Sequence, residues 1–144
     1  MVNVNSKLYK EHPDWCLVNP RREHSEGRNQ RVLDLSRKEV REFIIDAMSI
    51  VFSSANIAYV KWDMNRVFSD VFSVGSQKTV HTISADAVGK EVSKSEIETK
   101  EKRDFAACQG EVQHRYVLGL YEIMDTLTKK FPHILFEGCA SGGN

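Results

Sequence analysis

A lysine and an aspartate follow a short apolar run near the middle of the chain. The run covers residues 57–60, and Lys61 and Asp63 come directly after it. Such a run is typical of a strand buried on both faces of a parallel sheet. Alternate side chains of a strand share a face, so Tyr59, Lys61 and Asp63 lie together and Trp62 lies opposite. The pattern predicts an ammonium and a carboxylate at a strand exit, where α/β sheets carry their chemistry. A purely structural salt bridge is the simpler alternative, and spacing alone does not exclude it.

A second buried strand is predicted at residues 133–139, where Leu135, Glu137 and Cys139 share a face. If the two strands are neighbours in one sheet, their exits lie side by side, about 5 Å apart. Glu137 is then a candidate second partner of Lys61, with a structural rather than a catalytic role.

Hydrophobic periodicity predicts the elements that position these strands. Residues 31–35 form a short strand candidate, and Ser36 with Glu39 predicts a capping box that opens a helix. This strand, the helix and the strand that ends at Asp63 would form a right-handed parallel crossover unit. The apolar face of the predicted helix consists of Val40, Phe43, Ile44, Ala47 and Val51.

A second helix is predicted from about residue 110 to 130, with Pro132 as its stop. Residues 1–30 are predicted to be a long loop with a short helix near Leu8. Residues 76–108 form a charged surface insertion, either a solvated helix or a mobile excursion. The apolar face of the second helix consists of Val112, Tyr116, Leu120, Ile123, Met124 and Leu127.

Composition indicates one soluble globular domain. The chain has 144 residues, of which 41% are hydrophobic and 28% charged. Twenty basic residues balance twenty acidic ones, which argues against nucleic acid or an anionic membrane as partner. No bilayer-spanning stretch or secretory signal is evident, so a cytoplasmic location is expected. Three widely spaced cysteines and five scattered histidines favour neither a disulfide framework nor a metal site.

Six segments, in order and approximate spacing, resemble one enzyme family. Residues 61–66, Lys-Trp-Asp-Met-Asn-Arg, look like the nucleophile motif of the retaining α-galactosidases of the melibiase type, glycoside hydrolase family 36-like. The resemblance extends over nearly the whole chain apart from about residues 76–108, where the family has a shorter and less charged link. The other segments are His-Pro-Asp-Trp at 12–15, Gly-Arg-Asn-Gln at 27–30, Val-Leu-Asp-Leu at 32–35, Gln-His-Arg-Tyr-Val-Leu-Gly-Leu-Tyr-Glu at 113–122 and Phe-Glu-Gly-Cys-Ala-Ser-Gly-Gly at 136–143.

The resemblance implies an α/β fold in which residues 1–144 are a single partial segment of a catalytic (β/α)8 TIM barrel. About three parallel strands and two main helices would belong to it. The implied reaction is hydrolysis of terminal α-D-galactosyl linkages in raffinose- or melibiose-type oligosaccharides by a retaining double displacement. No cofactor, nucleic acid or membrane would take part, and the full-length form would be a homo-oligomer.

By the same resemblance, Asp63 is the catalytic nucleophile, and Lys61 keeps it ionised while binding a sugar hydroxyl. Retaining hydrolysis needs a second carboxyl group about 5–5.5 Å from the first. In the family that acid/base lies beyond the position of residue 144, so the chain alone is expected to be inactive. An arc of a barrel also has unpaired sheet edges and an uncovered interior face, so the chain alone is expected to be poorly stable. The substrate-binding residues implied are Arg28, Lys61, Trp62, Asn65, Cys139 and Gly142.

Other functions remain open. Residues 139–144 follow a strand and contain two glycines, as in a nucleotide-binding module, but a third glycine and a following helix are missing. A non-catalytic remnant could bind a partner through its charged segment. A thiol hydrolase built on Cys139 and His114 would lack a group that orients the histidine.

Overall fold

The elements of this computed structural model are short near the N-terminus and longer beyond residue 37. The structure describes residues 1–64, 69–75 and 94–139. Helices and strands are both present, so the chain is α/β, and the short helix predicted near Leu8 is confirmed. In chain order the elements are β1 (Val2–Asn3), α1 (Lys7–Glu11), a 3-10 helix (Pro13–Trp15), β2 (Gln30–Arg31), α2 (Lys38–Ser54), β3 (Tyr59–Asp63), α3 (Lys94–Lys130) and β4 (Leu135–Cys139).

β3 and β4 form the parallel pair that was predicted around Asp63. Their register runs from Tyr59 opposite Leu135 to Asp63 opposite Cys139. Parallel neighbours need a long crossover, and here α3 lies in the connection between them. The prediction of about three parallel strands is wrong for the described part of the chain, where the parallel sheet has two.

The segment predicted as the remaining parallel strand, residues 31–35, pairs antiparallel instead. β2 pairs with β1, and Leu33 forms an isolated antiparallel bridge with Cys16. The chain then turns at buried Asp34, whose Oδ1 accepts hydrogen bonds from the Ser36 N–H at 3.0 Å and the Ser36 hydroxyl at 2.5 Å. Because this turn ends the extended segment, α2 is not the crossover of a parallel unit with β3.

α2 begins at Lys38, and the predicted capping box at its start is wrong. Arg37 is the N-cap residue, and no side chain caps the helix. Ser36 lies one residue before the N-cap position, and its hydroxyl donates to Asp34 Oδ1. The Glu39 carboxylate instead accepts a hydrogen bond from Arg37 Nε at 2.7 Å. A carboxylate in the first turn still stabilises the positive end of the helix dipole.

The core-facing side of α2 differs in part from the predicted stripe. Phe43 and Val51, which the periodicity assigned to the core, are 39% and 47% exposed. Ile50 is also exposed, so α2 carries apolar residues on more than one side. Its hydrophobic pattern therefore fits two neighbouring apolar stripes and does not decide which of them faces the core. The residues that face the core are Val40, Ile44, Ile45, Met48 and Phe52.

α3 confirms the predicted second helix and extends it back to Lys94. Val112, Ile123 and Leu127 are buried, as the periodicity predicted. The helix ends at Lys130, two residues before Pro132, as expected of a proline stop. The charged residues 94–103 are therefore helical, whereas residues 76–93 of the predicted insertion lie outside the described residues.

α2 and α3 approach closely at Gly119. A Cβ added there would lie 2.1 Å from the Leu35 carbonyl oxygen and 2.8 Å from Arg41 Cδ. Arg41 crosses the same contact, since its Nη1 donates to the Leu35 carbonyl at 3.1 Å. Its Nε lies 2.7 Å from Glu122 Oε2, an ion pair that is not aligned as a hydrogen bond. The missing side chain at Gly119 therefore sets the distance between α3 and the turn before α2.

The core lies between the helices and one face of the β3–β4 pair. Phe52 packs edge-to-face against Phe131, with ring centroids 5.4 Å apart, and against Phe136 at 5.7 Å. Val60 and Trp62 of β3 pack against the same cluster, so the opposite face of the strand pair is the open one among the described residues. The buried members of the core are Val2, Cys16, Leu33, Leu35, Val40, Phe52, Ile123, Leu127, Phe131 and Ile134.

Candidate active site

The C-terminal ends of β3 and β4 bring Asp63 and Cys139 side by side. The two residues are partners in the parallel ladder. The Met64 N–H donates to the Cys139 carbonyl oxygen at 2.7 Å, which continues the pairing one residue beyond Asp63. Asp63 is exposed and Cys139 is half-buried. The two strand exits therefore meet as the sequence predicted.

Side chains of β3 alternate between the core and the open face. Tyr59, Lys61 and Asp63 are exposed, whereas Val60 and Trp62 are half-buried. Trp62, expected among the substrate-binding residues, packs against the core on the side of the helices. Strand alternation that directs Asp63 to the open face directs its neighbour away from it. The structure therefore does not bring Trp62 together with Asp63.

Lys61 and Glu137 face each other across the strand pair. Lys61 Nζ lies 3.8 Å from Glu137 Oε1, and the two residues are ladder partners. The Tyr59 hydroxyl donates a hydrogen bond to Glu137 Oε2. This hydrogen bond raises the pKa of Tyr59 above its ordinary value, because it is lost when the phenol ionises. The predicted second partner of Lys61 is thus confirmed.

The open face combines a carboxylate, which can act as a nucleophile or accept hydrogen bonds, with an ammonium that can donate them. An exposed carboxylate on a strand end can act as a nucleophile or accept hydrogen bonds. An ammonium beside it can donate up to three hydrogen bonds. Asp63 and Lys61 are two residues apart in β3, about 6–7 Å along the strand. A polar ligand of small size can therefore contact both.

Arg28, another expected substrate-binding residue, lies in a tight turn before β2. Gly27 and Gln30 form an antiparallel bridge, and the Gln30 N–H donates to the Gly27 carbonyl at 3.1 Å. Between them Arg28 and Asn29 both have a φ of 57°. Positive φ at both central residues is the requirement of a type I′ turn. Arg28 is exposed and is not among the residues that the strand pair brings together.

Buried Asp70 joins the loop before this turn to the segment that follows β3. Its Oδ1 accepts a hydrogen bond from Arg22 Nη2 at 2.8 Å, and its Oδ2 accepts one from the Ser25 N–H at 2.8 Å. Arg22 Nη2 also donates to the Ser69 carbonyl at 2.7 Å. Sequence reasoning missed Asp70, because a lone acid among apolar and serine residues does not indicate a partner 48 positions away.

Two expected site residues, Asn65 and Gly142, lie outside the described residues. Tyr59 was placed on the correct face, but its bond to Glu137 was not foreseen. The signal was available, because parallel register places Tyr59 and Glu137 on adjacent strands of one face.

The thiols do not form a reactive pair with histidine in the described part of the chain. Cys16 and Cys139 are free, and burial raises the pKa of Cys16 to about 11. His114 is exposed on α3, in the helical layer, whereas Cys139 ends a strand. The described residues contain no group of three or more His, Cys, Asp or Glu side chains that could hold a metal ion. None of the described helices is both long and apolar enough to span a bilayer.

Comparison with known proteins adds independent evidence. The Melibiase family model matches residues 1–89 and 77–144. The α-galactosidase AgaA of Geobacillus stearothermophilus is 46% identical over 143 residues, which are 99% of this chain and 16% of that protein. The crystal structure of this GH36 α-galactosidase aligns with a TM-score of 0.73 at 45% identity, covering 99% of this chain and 16% of the other. A variant of AgaA crystallised with raffinose gives a TM-score of 0.73 at 45% identity, with 99% of this chain and 16% of the other covered.

These matches extend along the chain and include β3, β4 and both long helices. The chain covers 16% of the length of AgaA, so it corresponds to one stretch of that protein. Sequence identity, family model and fold agree over this stretch. The chain belongs to the melibiase family.

Proposed function

We propose that this chain is a stretch of a longer α-galactosidase, called the full-length protein below, and that it carries the catalytic nucleophile, Asp63. The substrate class is terminal α-D-galactosyl groups of raffinose- or melibiose-type oligosaccharides. The observation that carries the proposal is the parallel pairing of Asp63 with Cys139 on the open face of two adjacent strands. The raffinose complex of the related AgaA supports the substrate class.

In this mechanism an Asp63 carboxylate oxygen attacks the anomeric carbon of the galactosyl group. The bond to the leaving-group oxygen breaks, and a carboxylic acid elsewhere in the full-length protein protonates that oxygen. The same group then removes a proton from water, which attacks the glycosyl-enzyme and releases galactose with its configuration retained. The sugar is neutral, so hydrogen bonds rather than charge must hold it.

The remaining site residues would bind sugar hydroxyls. Lys61 donates from the position next to Asp63 on the same face. Arg28 would contact the sugar from its turn, and Cys139 lies beside the nucleophile. Asn65 and Gly142, which lie outside the described residues, are proposed as further sugar contacts. Trp62 does not take part, because it packs on the core side of β3.

We also propose that β3 and β4 are an arc of a (β/α)8 barrel. Two features support this: the strands are parallel, and long helices cover the face opposite to Asp63. In such a barrel the open face lines the interior, and the strand exits form the catalytic end. The full-length protein would be a cytoplasmic homo-oligomer that needs no cofactor and binds neither nucleic acid nor membrane. The equal numbers of basic and acidic residues, twenty each, support the last two points.

The nucleophile is tested by removing the carboxylate and supplying another. In the full-length protein, Asp63→Gly should lower kcat for a nitrophenyl α-galactoside by about 10⁴-fold, since the glycosyl-enzyme cannot form. Added azide should restore turnover and give β-galactosyl azide, because azide attacks the α-galactoside directly from the open side. Product anomers are identified by proton NMR.

The control is Glu111→Gln, which removes a carboxylate from an exposed helical ion pair with Arg115 and should leave kcat unchanged. The 144-residue chain alone should not cleave the substrate, because the proposed mechanism takes its second carboxyl group from elsewhere in the full-length protein. Retained activity in Asp63→Gly, or azide that yields the α-anomer, would show that Asp63 is not the nucleophile.

A further inference from the structure

Glu137 lies at the centre of the polar side chains on the open face of the strand pair. Its Oε1 is 3.8 Å from Lys61 Nζ, and its Oε2 accepts the Tyr59 hydroxyl. Both carboxylate oxygens therefore have a partner in the protein. The mechanism above uses Lys61 and Asp63 and gives Glu137 no role.

The position of Glu137 along the strand is fixed by the register. Its ladder partner is Lys61, and the strands continue two residues beyond this pair to the exit at Asp63 and Cys139. Glu137 is thus set back from the exit by about 6–7 Å. A group in this place contacts the ammonium from the neighbouring strand, at the same level as Lys61.

The charges on this face explain why such a contact matters. Among the described residues of the two strands, the titratable groups that face one another are Tyr59, Lys61 and Asp63 from β3, and Glu137 and Cys139 from β4. A lysine side chain is long and loses considerable rotamer freedom when it is held in one place. With no second anion, the ammonium would close onto the Asp63 carboxylate and reduce its reactivity as a nucleophile.

From this geometry we infer that Glu137 is a positioning residue: it holds the Lys61 ammonium for a sugar hydroxyl and away from a tight ion pair with Asp63, without contacting the sugar. The inference rests on the proposed function and deepens it. Tyr59 fixes the second carboxylate oxygen and so limits rotation of the Glu137 side chain.

Glu137→Gln in the full-length protein tests this role, because it keeps the shape of the side chain and removes its charge. We expect kcat/KM to fall by about 10- to 100-fold, the usual effect of a small displacement of a binding group. The acidic limb of the pH profile of kcat/KM should move to lower pH. The direction follows because losing a negative charge on this face, and freeing Lys61 to approach Asp63, both favour the ionised nucleophile.

A double-substitution cycle separates positioning from a purely structural role. Lys61→Met removes the group through which Glu137 acts, so adding Glu137→Gln should cause no further loss of kcat/KM. The inference would be overturned if the losses of kcat/KM from the two substitutions multiplied in the double variant. It would also be overturned if the acidic limb of the pH profile stayed in place in Glu137→Gln.

The controls distinguish this inference from the proposed function. Glu111→Gln should match the wild type in both kcat/KM and pH profile. If the wild-type full-length protein does not hydrolyse the α-galactoside, the proposed function fails; if it does and Glu137→Gln behaves like Glu111→Gln, only the role of Glu137 fails. Should Glu137→Gln not fold, Tyr59→Phe tests the same contact and should raise KM by a smaller factor, whereas an unchanged KM would count against the inference.

Discussion

At the scale of single residues, two expected sugar-binding side chains are held in different ways. Lys61 lies in regular strand and contacts its ladder partner. Arg28 lies in a turn with a φ of 57°, a conformation that L residues other than Asn and Asp rarely adopt. Backbone strain of this kind often accompanies function. A residue that adopts positive φ without strain should therefore make the protein more stable than Arg28 does.

Replacing Arg28 by glycine should therefore raise the free energy of unfolding. The left-handed conformation costs an L residue about 1–2 kcal/mol, and the greater freedom of glycine in the unfolded chain offsets part of this. We expect a net gain of up to about 1 kcal/mol, measured by urea unfolding of the full-length protein.

Arg28→Ala is the matched comparison, because it removes the charge and keeps the strain. It should not stabilise the chain. An equal gain from alanine and glycine would mean that the guanidinium, and not the backbone, is the source of the cost.

The sequence predicted the strand residues of the site better than the turn residue. The period of two places Lys61 with Asp63 and Glu137 with Cys139 on one face of each strand, without knowledge of tertiary contacts. That the two faces coincide depends on the pairing of the strands. The conformation of Arg28 could not be predicted in this way. Glycine usually marks positive φ, but here Gly27 precedes the two residues that adopt it.

At the scale of elements, the contact between α2 and α3 depends on one glycine. Gly119→Ala should destabilise the chain by about 1–3 kcal/mol, because its Cβ would meet a backbone carbonyl at 2.1 Å and one of the helices must move. Thermal and urea unfolding measure the change.

Gly110→Ala, in the same helix, is the control. A Cβ at Gly110 would have no neighbour within 4 Å, so the better helix propensity of alanine should stabilise the chain by about 0.5–1 kcal/mol. Equal effects at the two positions would contradict the close approach at Gly119.

The part of α3 beyond residue 110 was predictable because its apolar stripe is narrow and its proline stop is clear. The charged part from Lys94 was not, because it lacks such a stripe. The strand at residues 31–35 was not, because its apolar alternation fits parallel and antiparallel pairing equally. The local bonds of Asp34 to Ser36 decided the outcome, since they turn the chain before a longer strand can form. The helix begins one residue later than the predicted capping box requires, with Arg37 and not Ser36 at the N-cap position.

At the scale of the whole molecule, burial of Cys16 links core packing to pH. The side chain is 0% exposed, and burial raises its pKa from 9.0 to about 11. Since the folded chain holds this proton more tightly than the unfolded chain, stability is unaffected below pH 9 and falls as pH rises towards 11.

This thiol should account for about 2–3 kcal/mol of the fall over that interval. Cys16→Ala should lower stability at neutral pH by opening a small cavity, but it should flatten the decline between pH 9 and about 11. Denaturant unfolding at several pH values measures both effects, and Cys139→Ala is the comparison outside the core. If the plots of stability against pH were parallel for Cys16→Ala and the wild type, the alkaline loss of stability would not come from Cys16.

The hydrogen bond from the Met64 N–H to the Cys139 carbonyl has a consequence for catalysis. Ladder pairing on both sides of Asp63 fixes the backbone dihedrals of the proposed nucleophile when the chain folds. Ordering one residue costs about 1–2 kcal/mol of conformational entropy. This cost falls on folding and not on sugar binding, so the carboxylate meets each new substrate already preorganised.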